Sequence, residues 1–154
     1  MRHVLCFLLV LMLTAPAKSN TEEEQAATKA LNDYLAAVSS LDAGRAAQYF
    51  HEPFMLVNAA STGLYQSRAE VEAWLKPGYV TLKERGFARS EWARLRVKSL
   101  GSGVAIASAL AVRYKADGQE LQRLGVTYLL RKTADGWKLA VFTVHDPAAL
   151  LSLE

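Results

Sequence analysis

Imidazole is the side chain that most readily exchanges a proton near neutral pH. Beyond residue 17, this 154-residue chain has two of them, His51 and His145. Each has a carboxylate beside it: His51-Glu52 within YFHEPFMLVN, and His145-Asp146 after DGWKLAVFTV. Such a pair works as an acid–base unit when the carboxylate orients the ring. Adjacent residues share no helix face, and on a strand they point to opposite sides, so spacing alone orients neither pair. Two histidines are also too few for a catalytic zinc, which wants three protein ligands. His51 and His145 are therefore weak catalytic candidates, and neither a metal nor a cofactor is implied. The single cysteine, Cys6, lies in the N-terminal apolar run. The rest of the chain thus has neither thiol chemistry nor disulfides.

Binding is the other chemistry the residue types allow. Tyr34, Tyr49, Tyr65, Trp74, Tyr79 and Trp92 form an aromatic set. Most of these rings belong in a core, but their polar tips need partners when buried. A pocket lined by them would take a planar or alicyclic apolar molecule with one or two polar groups. Arg89, Arg94, Arg96 and Lys98 alternate along one segment. A solvated sheet face accounts for that basic stripe better than an anion site does.

These side chains must be positioned by helices in the first half and strands in the second. Thr21 to Glu24 reads as a capping box with an acidic first turn. Ala27, Ala30, Leu31, Tyr34, Leu35 and Val38 follow at helical spacing, predicting a helix over 22–40. Asp42 can cap a short second helix carrying Ala46, Ala47 and Phe50. His51 then finishes that helix, where an imidazole complements the last carbonyls, and Pro53 stops it. Ser67 to Glu70 is a second capping box, opening a helix with Val71, Trp74 and Leu75 on one face. Pro77-Gly78 is expected to break it, with a further turn or two through Leu82 ending at Gly86.

The period then changes to two. Leu95 and Val97, then Val104 to Val112, Leu124 to Leu130 and Trp137 to Val141 alternate in strand fashion. Gly101-Ser102-Gly103, Asp117-Gly118 and Asp135-Gly136 between them are hairpin signals. The expectation is a four-stranded antiparallel meander, with a short early strand over Phe54 to Val57. Ala105, Ala107, Ala109 and Ala111 put a row of small side chains on one face of the second long strand. That row predicts either close packing, the commoner outcome, or room for a ligand. His145 shares parity with Trp137, Leu139, Val141 and Thr143, which sets it at the rim of their face.

This order, with NDYLAAVSSLDAGRAAQYF before a short strand and DGWKLAVFTVH as the last strand, resembles the nuclear transport factor 2-like superfamily over residues 22–146. That group includes ketosteroid isomerase, scytalone dehydratase and the SnoaL-like polyketide cyclases. The resemblance implies an α+β, cone-shaped fold. Three N-terminal helices pack on a curved antiparallel sheet around a pocket, often as a homodimer through the sheet. It implies no single activity, since the fold hosts many. Under it, Tyr34 falls where ketosteroid isomerase has its oxyanion-binding tyrosine. Asn58 falls where that enzyme has its general base, and an asparagine cannot take up the proton. His51 falls near the pocket entrance. Tyr34, Asn58, Trp74, His51 and Tyr79 are the ligand-binding candidates.

Residues 1–17 read as a cleavable signal peptide. Arg2 precedes the apolar run Val4 to Leu13, and Ala15-Pro16-Ala17 forms an A-x-A-like site. The run is short of the roughly 20 residues a span needs. A single domain over 18–154 would then be exported, to the periplasm or outside the cell, without a membrane anchor. The net charge of +3 is too balanced to imply nucleic acid. Three functions stand in order: an exported binding or accessory domain for a small apolar ligand, then a small lyase, isomerase or cyclase using a pocket histidine with Tyr34, then a structural dimer in an envelope assembly.

Overall fold

The computed structural model describes residues 20–153. The expected signal peptide, residues 1–17, lies outside the described residues. Helix α1, Asn20–Ser39, buries Glu23, Ala27, Leu31, Tyr34, Ala37 and Val38, a single stripe at helical spacing. It is already under way at Asn20, so Thr21 lies inside the helix rather than capping it. The acidic turn ties the helix to strand β3, Phe87–Gly101. Glu23 Oε2 accepts from the Ser99 hydroxyl and Glu24 Oε1 from the Ser99 amide, both at 3.0 Å. At the far end, Ser39 Oγ accepts from the Ser90 amide at 3.0 Å. These bonds lay α1 along β3 from one end of the helix to the other.

Helix α2, Ala43–Ala47, is capped as expected: the Asp42 carboxylate accepts from the Arg45 amide at 2.9 Å. Phe50 does not belong to it. Strand β1, Phe50–Val57, starts at that residue, four positions before the expected start. The reason is tertiary: Phe50 pairs with Leu139, and its ring meets Phe54 and Tyr34 edge-on at 4.5 and 5.5 Å. His51 and Glu52 are therefore strand residues, not a helix end. Strand β2, Thr62–Tyr65, forms an antiparallel hairpin with β1, and helix α3, Arg68–Glu84, follows it.

Ser67 caps α3 by accepting from the Glu70 amide, while Glu70 accepts from the Gln66 amide at 2.9 Å. The helix runs through Pro77-Gly78 without ending. Proline withholds an amide from the helix ladder, at a cost of about 3 kcal/mol. The turns beyond it bury Tyr79 and Leu82, and fully burying a large apolar side chain returns about 1.5–3 kcal/mol. The helix stops at Gly86, the expected end of its last turns, with a φ of 79° that a side chain would resist.

The rest is the expected meander: β3, β4 (Val104–Lys115), β5 (Glu120–Thr133) and β6 (Gly136–His145), each antiparallel to the next. The full order is β2-β1-β6-β5-β4-β3. Strand β1 joins β6 in parallel, so the six-stranded sheet is mixed rather than wholly antiparallel. The core lies between the helices and the sheet face carrying Ala105, Ala107, Ala109, Val126, Tyr128 and Leu130. The fold is α+β, with three helices of which the third follows the β1–β2 hairpin.

Candidate functional site

A cavity of about 290 Å³ lies between the sheet's inward face and two helices. Helix α1 contributes Tyr34, Leu35 and Val38; α3 contributes Trp74, Leu75, Gly78, Tyr79 and Leu82. The sheet supplies Ser90 and Trp92 from β3, Ala111 and Arg113 from β4, Leu124, Val126 and Tyr128 from β5, and Phe142 and Val144 from β6. The pleat explains the set. Trp92 lies opposite Ala111, Ser90 opposite Arg113, Tyr128 opposite Phe142, and Val126 opposite Val144. Residues paired across strands share a face.

The rings brace one another. Tyr128 stacks on Phe142 at 4.9 Å and 23°, and stands roughly perpendicular to Tyr34 and Trp92 at 6.2 and 6.4 Å. Trp74 closes the opposite side against Phe50, Phe54 and Tyr65. Burial pushes the hydroxyls of Tyr34, Tyr79 and Tyr128 well above the usual tyrosine range, with nearby Arg113 opposing the shift. All three keep their protons at neutral pH. The Tyr79 hydroxyl and the Trp92 indole N–H are buried and have no protein partner. Arg113 Nη1 donates to Gln122 Oε1 at 3.0 Å.

Of the residues singled out in the sequence, Tyr34, Trp74, Tyr79 and Trp92 meet at this cavity, and His51, Asn58 and His145 are not among its lining. Asn58 sits in the β1–β2 turn, where its Oδ1 accepts from the amides of Ala60 and Ser61 at 2.9 Å. The Nδ1 of His51 lies 3.0 Å from the Pro53 carbonyl and donates to it. His145 is on the outward face, against the expectation from parity. The cause is a bulge: Leu129 pairs with Val141 but Leu130 with Leu139, leaving Ala140 as an extra residue in β6. One extra residue exchanges the faces of everything after it. Trp137 and Leu139 point in, as do Phe142 and Val144, while Thr143 and His145 point out. The His145 ring lies over Gly125, where a side chain would run into both the ring and the Asp146 carbonyl. Its Nε2 is 3.0 Å from Thr127 Oγ1 and its Nδ1 3.0 Å from the Asp146 carbonyl. The carbonyl only accepts, so Nδ1 donates to it.

Arg113 and Tyr128 were not singled out in the sequence. The signal for Arg113 was present, since it continues the odd-numbered row of Ala105 to Ala111. An arginine at the end of an inward alanine row is a cation facing the interior. Among the described residues, no three His, Cys, Asp or Glu side chains are grouped so as to hold a metal ion, and no helix is long and apolar enough to cross a membrane.

Residues 22–147 match the family model described as NTF2-like protein (DUF6841). No curated protein matches the chain closely enough in sequence to count as a relative. Solved structures share the fold at low identity. An NTF2-like protein with a cystatin-like fold from Novosphingobium aromaticivorans is 16% identical, with 80% of this chain and 81% of that one covered at a TM-score of 0.67. An NTF2-like protein of unknown function from Pseudomonas putida is 15% identical, with 80% and 86% covered at 0.65. One from Shewanella oneidensis is 16% identical, with 82% and 98% covered at 0.64.

Proposed function

The chain belongs to the NTF2-like family, and from that premise we propose that it is a binding domain for a small, largely apolar molecule held in the cavity between α1, α3 and the sheet. One observation carries the reading. The cavity is walled by rings and aliphatic side chains, and two of its lining residues, Tyr79 and Trp92, have buried polar groups without a protein partner. An unmet buried donor costs about 1–3 kcal/mol, and a ligand with acceptor groups relieves that cost. The volume is near the lower end for ligand pockets, which fits one or two rings. An enzyme using His51 or His145 finds less support, since neither imidazole lines the cavity.

Thermal-shift screening of one- and two-ring compounds tests the reading: stabilisation by some of them is expected, and none overturns it. Tyr34→Phe should then weaken the best compound by about 0.5–1.5 kcal/mol while leaving stability nearly unchanged. If that variant unfolds instead, Tyr34 is a core residue and its role at the ligand falls. A homodimer and export complete the proposal. The dimer would use the outward sheet face, where Met55, Leu64 and Leu129 are 38%, 54% and 37% exposed. Sedimentation at micromolar concentration tests the first. N-terminal sequencing of secreted material tests the second, with a start near Lys18 expected.

A further inference from the structure

The cavity holds one charge that an apolar ligand would leave unanswered. Arg113 is the only ionised side chain among its lining residues at neutral pH. It stands on β4 between Ser90 and Gln122, facing the same space as Tyr34, Tyr79 and Tyr128. Its hydrogen-bond partner is the neutral amide of Gln122. Among the described residues no carboxylate lies within ion-pair distance of it. The charged neighbour it does feel is Arg85, of the same sign. Burial holds its pKa below the ordinary arginine value, yet arginine stays ionised in proteins.

Arg113 is half-buried, and charges drawn out of water are normally paired, yet this guanidinium faces the cavity with no carboxylate beside it. The unpartnered polar groups nearby share its bias. Guanidinium and indole N–H groups only donate, and the Tyr79 hydroxyl has a proton to give. A guanidinium that faces a cavity with no carboxylate beside it selects a ligand that is rich in acceptors and negatively charged. The planar fork of an arginine matches a carboxylate in particular, with two parallel hydrogen bonds.

We infer that the cavity binds a one- or two-ring aromatic or alicyclic carboxylate, its carboxylate on Arg113 and its ring among Tyr34, Trp74, Tyr128 and Phe142. The inference rests on the small-molecule reading above and narrows it to one chemical class. Gln122 holds one edge of the guanidinium, so the fork is oriented before the ligand arrives.

Calorimetric titration of matched acids and alcohols tests it: benzoate against benzyl alcohol, cyclohexanecarboxylate against cyclohexylmethanol, 2-naphthoate against 2-naphthylmethanol. The wild-type protein should bind at least one acid about tenfold or more tighter than its alcohol. Arg113→Met should erase that preference while leaving the alcohol's affinity nearly unchanged, and Arg113→Lys should restore part of it. A purely structural arginine would instead weaken acid and alcohol alike. If alcohols bind as well as acids, or Arg113→Met keeps the preference, the carboxylate inference is overturned and the small-molecule reading stands. If no compound of either kind binds, both are overturned. The wild-type comparison decides the matter even where Arg113→Met does not fold.

Discussion

The two ends of the alanine row on β4 meet different fates. Ala105, Ala107 and Ala109 are wholly buried in a core they share with Ala27 and Leu31 of α1. Ala111, one step further along the same face, lines the cavity with Arg113 beyond it. The residue type is the same at both ends, so the side chains on β4 do not decide what is filled. What differs is the roof. At the open end Tyr34, Leu35 and Val38 face α3 across a gap, and Phe50 stands between the helices, edge-on to both Tyr34 and Trp74. Small residues permit close approach, and a neighbour has to make use of the permission.

Alkaline pH should separate the ends most strongly, because the open end carries the buried tyrosines. Their hydroxyls titrate above the unfolded value near 10. Below that pH both states are protonated and stability is insensitive. Above it the unfolded chain loses protons that the folded chain keeps, so stability falls as pH rises. The slope should reach about 1.4 kcal/mol per pH unit for each such tyrosine. Urea unfolding between pH 8 and 11.5 measures it, and Tyr128→Phe should flatten the curve.

A substitution pair comes next. Ala107→Leu adds bulk to the packed end and should cost about 1–3 kcal/mol. Ala111→Leu grows into the cavity and should cost under about 1 kcal/mol while abolishing ligand-induced stabilisation. Equal costs in denaturant melts would remove the distinction between the two ends. The smallest effect belongs to Gly78, which lines the cavity from α3 and where an added Cβ meets nothing within 4 Å. Gly78→Ala should raise stability by roughly 0.5–1 kcal/mol, through helix propensity alone. A loss would mean that α3 needs a glycine beside Pro77.

Much of this architecture was legible in the chain because local chemistry and tertiary outcome agreed. Asp42 and Ser67 cap the helices they precede, and the turns around Gly103, Gly118 and Gly136 separate the long strands. Legibility ended where distant residues overruled local ones. Phe50 looks like the last apolar residue of a helix, but Leu139 recruits it to a strand. Pro77 looks like a stop, but the burial of Tyr79 and Leu82 carries the helix past it. The candidate site was half legible: the aromatic residues at 34, 74, 79 and 92 converge, while Asn58 stabilises its own turn. Arg113 was within reach of parity counting, since nothing interrupts the alternation between Ala105 and that position. His145 was beyond reach, since no residue in GWKLAVFTVH announces the extra one.

That extra residue acts as a reading frame for the last strand. With Ala140 looped out, β6 spells an apolar wall, Phe142 then Val144, and the frame is held by the stack of Phe142 on Tyr128. Paired one residue out of step, the same letters would turn Val141, Thr143 and His145 toward the ligand space. One residue of backbone thus decides whether the wall facing the cavity is apolar or carries an imidazole.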